Sequence, residues 1–122
     1  MSKSPITCHV LDSSIGRPAE GVGVLLEHQA DGSNFTTLAT GVTNSDGRCM
    51  SLFPPSGKEE DAALVSGRLY KVIFKTKPYF ESSGRKSFYP WVEIVFEVPA
   101  ANEHYHIPLL ISPYSYTTYR GS

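Results

Sequence analysis

A chain of 122 residues carries one core and not two, so residues 1–122 are read as a single domain; at this size folding buries roughly two-thirds of the surface exposed by the unfolded chain. Eleven lysines and arginines against twelve acids leave a net charge of −1 with no basic run, which removes the electrostatic case for nucleic acid or an anionic membrane. Two cysteines are too few for a disulfide scaffold, and no apolar stretch reaches the roughly 18 residues that span a bilayer.

The leading MSKSPIT has no apolar signal-peptide core, so an intracellular setting, cytoplasmic or peroxisomal, is expected. ITCHVLD then reads as a strand, with Ile6, Cys8 and Val10 on one face and Thr7, His9 and Leu11 on the other. If the apolar set faces the core, His9 points outward. Asp12 is expected to end this strand and open the loop DSSIGRPAEG. VGVLLEHQ and FTTLATGVT follow as strands on either side of the turn QADGSN. In NSDGR, Asp46 is expected to hold the turn through its carboxylate. Arg48 emerges immediately after it, with a planar fork suited to an oxyanion or carboxylate; a plain surface arginine is the competing reading. Cys49 and Cys8 read as buried thiols in a reducing compartment.

FPPSGKEED reads as a turn with a solvated charged loop, and RLYKVIFKT as the next strand. KPYFESSG has a proline to open and a glycine to close a single helical turn. FYPWVEIVFEV is a strand, and so is EHYHIPLLI, whose alternation sets Tyr105, Ile107, Leu109 and Ile111 on one side and His104, His106, Pro108 and Leu110 on the other. His106 therefore also points away from the core. YSYTTY is the last strand; either Ser115, Thr117 and Tyr119 or Tyr114, Tyr116 and Thr118 face inward. Short strands punctuated this often by turns predict an all-β antiparallel sandwich or barrel with one short helix.

Leu11, Pro108 and Leu110 share the outward faces with the two histidines. Apolar residues clustered with aromatics on such a face mark a covered surface, so an oligomer with sites shared between subunits is expected. His9, His104 and His106 also offer three nitrogens to a zinc ion with an open fourth position, against the plainer reading of solvated strand histidines. No GxSxG elbow, P-loop or GxGxxG occurs.

CHVLDSSIGRPAEGV, TNSDGR, HYHIPLLISPYSYTTY and the final YRGS together resemble the transthyretin-related 5-hydroxyisourate hydrolases, from near Ile6 to the last residue. VLD and SPYSY are shared with the hormone carrier transthyretin and mark only the superfamily. The histidine of CHVLD, the arginine of SDGR, the second histidine of HYH and YRGS are the pieces that the carriers lack. The resemblance implies an eight-stranded sandwich of two four-stranded sheets, assembled as a homotetramer (a dimer of dimers) with its sites in a channel between outer sheet faces. It implies hydrolysis of 5-hydroxyisourate without metal or other cofactor. His9 and His106 would activate water and pass its proton to the leaving ring nitrogen, and Arg48 would hold substrate oxygens. Tyr119 would contact substrate, and Ser122, by hydroxyl or terminal carboxylate, would orient water or a histidine. His104, Arg120 and Gly121 would support them. A carrier of small aromatic ligands and a zinc hydrolase remain the alternatives.

Overall fold

Period-two alternation builds the first sheet. In β1 (Ile6–Asp12) the side chains of Ile6, Cys8 and Val10 are fully buried, while His9 and Leu11 on the opposite face are half-buried. The computed structural model describes residues 4–52 and 64–121, so FPPSGKEED lies outside the described residues. One edge of β1 is shared by two short strands: β2 (Arg17–Pro18) pairs with its end and β5 (Arg48–Cys49) with its middle, setting His9 opposite Arg48 and Cys8 opposite Cys49. Gly47 makes this possible. Its φ of 75° is open to glycine, its carbonyl accepts the Val10 N–H at 2.7 Å, and a Cβ there would run into the Val10 carbonyl oxygen.

The other edge of β1 pairs with β8 (Tyr105–Ser112), and β8 with β9 (Ser115–Thr118), giving the order β2-β1-β8-β9 with β5 beside β1. The β1–β8 pairing is parallel, unlike the antiparallel pairing expected throughout. Parallel neighbours need a long crossover, and here nearly the whole chain between the first strand and the eighth supplies it. The second sheet is antiparallel, in the order β4 (Thr36–Val42), β3 (Gly23–His28), β6 (Leu69–Lys75), β7 (Val92–Glu97).

The core lies between the sheets, with Val24, Leu26, Val72 and Phe74 against Val10, Ile107, Leu109 and Ile111. The short helix α1 (Thr76–Glu81) leaves β6 directly. Pro78 sits in its first turn, where no N–H is required, and Gly84, with φ of 73°, ends the segment. Phe80 anchors it in the core, a burial that contributes about 2–3 kcal/mol. No helix among the described residues is long and apolar enough to cross a membrane.

One turn expectation needs correction and one is extended. Asn44, not Asp46, holds the NSDGR turn: its Oδ1 accepts the N–H groups of Asp46 at 2.9 Å and Arg48 at 3.0 Å. An Asx side chain bonds the backbone that follows it, and Asn44 is the residue that precedes the turn. Asp12 does open its loop, accepting the backbone N–H of Ser14, but it is also fully buried. Its other oxygen takes hydrogen bonds from Tyr79 and Arg85, both at 2.8 Å, tying β1 to α1 and the segment after it. Burial pushes the Asp12 carboxyl up, but the hydrogen bonds from Arg85, Ser14 and Tyr79 outweigh it and hold the group below the usual carboxylate range.

Candidate active site

The parallel register of β1 and β8 places Thr7 opposite His106, and the antiparallel register of β1 and β5 places His9 opposite Arg48. Three elements thus deliver Thr7, His9, Arg48 and His106 to one outer sheet face. The His9 and His106 rings lie 6.4 Å apart between centroids, tilted by 37°. His104, just before β8, reaches the same cluster: the Thr7 hydroxyl lies 2.9 Å from His104 Nε2 and 2.8 Å from His106 Nδ1. Thr7 is fully buried beneath these rings although it belongs to the outward face of its strand.

The chain's last residues return across this face. Pairing of Leu110 with Thr117 settles the open alternation of the final strand, putting Ser115 and Thr117 on the His106 side. The same register carries on to a bridge between Gly121 and His106, in which the Gly121 N–H donates to the His106 carbonyl at 3.0 Å. A Cβ on Gly121 would lie 2.8 Å from His106 Cδ2 and 3.2 Å from Pro108 Cγ, so only glycine lets the backbone pass this close to the imidazole.

The cluster is electropositive. Burial, followed by the charges of Arg48, His9 and His104, holds His106 below the usual histidine range. Among the described residues no acid forms an ion pair with Arg48, and no three His, Cys, Asp or Glu side chains converge as a metal-holding group. Each imidazole nitrogen that His104 and His106 aim inward meets the Thr7 hydroxyl instead.

The remaining expected site residues are placed differently. Arg120 pairs with Glu103 at 2.9 Å and lies over the Tyr105 ring at 4.8 Å. Tyr119 is mostly exposed and, with Arg120, borders a cavity of about 290 Å³ at the open edge between β7 and β8; no hydrogen bond or ring contact joins it to His9 or His106. Ser122 lies outside the described residues. The larger cavity, about 370 Å³ beside α1 and Trp91, also lacks the histidines. Thr7 was missed by sequence reasoning because a strand threonine is commonplace; its place on the His9 face was the one available signal.

A model of the HIUase/Transthyretin family matches residues 6–121. The chain is 43% identical over 120 residues to 5-hydroxyisourate hydrolase of Mus musculus, covering 98% of this chain and 96% of that one. Among solved structures, the 5-hydroxyisourate hydrolase of Klebsiella pneumoniae superposes with a TM-score of 0.76 at 36% identity, covering 99% and 100% of the two chains. Transthyretin from Sparus aurata superposes with a TM-score of 0.82 at 31% identity, covering 97% of each. Backbone shape therefore does not separate the hydrolase from transthyretin, and that distinction has to come from side chains. On the family match and on identity over nearly its whole length, this chain belongs to the HIUase/Transthyretin family.

Proposed function

We propose that this chain is a 5-hydroxyisourate hydrolase, opening the substrate ring to give 2-oxo-4-hydroxy-4-carboxy-5-ureidoimidazoline. The observation that carries the reading is the pair of imidazoles, His9 and His106, gathered with Arg48 on one sheet face. A binding protein has no use for a poised base, whereas ring-opening hydrolysis needs a base, an oxyanion stabiliser and a proton donor for the leaving nitrogen.

His106 is the base. Its lowered pKa keeps the ring neutral near neutral pH, and with Nδ1 engaged by Thr7, Nε2 is the nitrogen left for chemistry. It takes a proton from water as the oxygen attacks the acyl carbon. Arg48 binds the carbonyl oxygen on which negative charge develops, a charge that no neighbouring acid among the described residues opposes. The proton that His106 has taken is relayed through His9 to the ring nitrogen as the carbon–nitrogen bond breaks, which leaves both imidazoles as they began. Gly121 brings the tail against His106, and Ser122 orients the attacking water. Tyr119 contacts the substrate from the tail, Arg120 pins the tail to Glu103, and His104 steadies His106.

The site lies on an open face that neither cavity includes. Leu11 and Leu110 flank it, half-buried. This supports a homotetramer, a dimer of dimers, in which a second copy encloses the substrate; light scattering reads the assembly directly. The two free, buried cysteines suit a reducing cytoplasmic or peroxisomal setting.

The deciding experiment follows ultraviolet absorbance as 5-hydroxyisourate, made fresh from urate by a urate oxidase, decays with and without the protein. Faster decay with the full chain, lost on deleting Tyr119-Arg120-Gly121-Ser122 from a protein that still folds, supports the reading. Unchanged decay with the folded full chain overturns it and leaves a carrier.

A further inference from the structure

We propose that Thr7 is a positioning residue that decides which nitrogen of His106 carries the proton, through a relay from His106 to Thr7 to His104. The inference rests on the hydrolase reading for its kinetic consequence but not for its geometry. Thr7 is fully buried, and its Oγ1 lies within hydrogen-bond distance of two imidazole nitrogens on two residues.

A hydroxyl has one proton to give. When both rings are neutral, one nitrogen must therefore receive that proton and the other must donate its own. Two arrangements satisfy this. In the first, His106 Nδ1–H donates to Oγ1 and the Thr7 O–H donates to His104 Nε2; His106 Nε2 then has a free lone pair and can accept a proton. In the second, His104 Nε2–H donates to Oγ1 and the Thr7 O–H donates to His106 Nδ1; His106 then carries its proton on Nε2 and cannot act as a base.

Only the first arrangement serves catalysis. It also needs no rearrangement when His106 becomes imidazolium, because Nδ1–H keeps donating to Oγ1 while Nε2 gains the proton taken from water. A group already oriented before the proton moves costs nothing to reorganise. His104 is exposed, and a proton on its Nε2 is what selects the second arrangement. The groups facing His106 are His9 from β1, Arg48 from β5 and His104 from the segment before β8, all of which oppose its protonation; Gly121 covers its other side without charge. Among the described residues, Thr7 is the group that stabilises positive charge there by accepting Nδ1–H.

The test compares Thr7→Val, which keeps the branched shape without the hydroxyl, with Thr7→Ser. In Thr7→Val, kcat is expected to fall roughly 10- to 100-fold with KM within about twofold, since only part of the general-base contribution is lost. The acid limb of its pH profile should move to lower pH, because the imidazolium has lost its acceptor. Thr7→Ser should restore both. Nitrogen-15 spectra of the ligand-free wild type should show His106 protonated on Nδ1, and of Thr7→Val a mixture of tautomers. A folded Thr7→Val protein with wild-type kcat and pH profile overturns the proposal, as does a wild-type His106 protonated on Nε2. A wild-type chain that does not turn over 5-hydroxyisourate sinks the hydrolase reading instead, and the spectra still decide the relay.

Discussion

At one end of β1, Asp12 sits fully buried and receives hydrogen bonds from Ser14, Tyr79 and Arg85. At the other end Thr7, equally buried, joins His104 and His106 beside His9 and Arg48. Both clusters gather polar groups from distant parts of the chain onto one strand. The first contains an acid, so its guanidinium is neutralised within the protein and the cluster is closed. The second holds three imidazoles and a guanidinium with no acid among the described residues, so its field is unspent and directed outward. A complete ion pair makes a structural joint, and an incomplete one leaves room for a ligand on which negative charge develops.

The sharpest way to break this contrast is to disable the open cluster alone. His106→Asn should lower kcat by about 10²–10⁴-fold, the range of general-base catalysis, while thermal unfolding stays within a few degrees of wild type. Arg48→Met should cost about 10²–10³-fold in kcat, as loss of an oxyanion donor does. Steady-state kinetics on refolded, dichroism-checked protein reads both. The wild-type profile should keep activity below the ordinary histidine value, because the neutral base is lost only as pH falls through the lowered pKa of His106.

The closed cluster should respond in the opposite sense. Asp12→Asn removes the carboxylate from a buried pair and is expected to cost about 2–3 kcal/mol of stability, at the low end for such pairs because Arg85 can still reach water. Its kcat should stay near wild type. The native pKa of Asp12 lies below its unfolded value, so its contribution is complete above about pH 4 and fades as pH falls through the depressed value. Urea denaturation at several pH values should therefore show the gap between wild type and Asp12→Asn closing in acid.

The two clusters were not equally legible. Alternation in ITCHVLD and EHYHIPLLI was enough to turn His9 and His106 outward, because the period of a strand is local information. That they meet depends on the parallel pairing of β1 with β8, which no local pattern encodes. Arg85 lies 73 residues from Asp12, and nothing in SSGRKS marks it as the partner. Asp and Asn favour the same turns, so NSDGR alone does not separate Asp46 from Asn44; the register of the hydrogen bonds does. Thr7 was invisible for a further reason: its role consists of two contacts whose partners are about a hundred residues away.

A finer probe acts on the open cluster without removing any charge. Gly121→Ala places a methyl 2.8 Å from His106 Cδ2, closer than two carbons can sit, so the ring or the tail must shift. Displacing a reacting group by a fraction of an ångström should cost on the order of tenfold in kcat, with little change in stability because the tail contributes little to the core. Absorbance kinetics and thermal melts on the same preparation separate the two effects.

The smallest effect is expected at the tail's own ion pair. Arg120 and Glu103 meet at 2.9 Å, but both side chains are more than half exposed, so solvent and salt screen most of their attraction. Glu103→Gln should therefore leave the melting temperature almost unmoved. Arg120 still lies over the Tyr105 ring, which holds the guanidinium after its acid is gone, and kcat should fall by no more than about twofold at physiological salt. A larger loss would mean that Glu103 holds the tail over His106, and it should then deepen as salt is lowered, since screening no longer hides the missing attraction. A charged pair at this surface would in that case belong with the open cluster rather than with the solvated exterior, and the division drawn between the two ends of β1 would have to extend to the end of the chain.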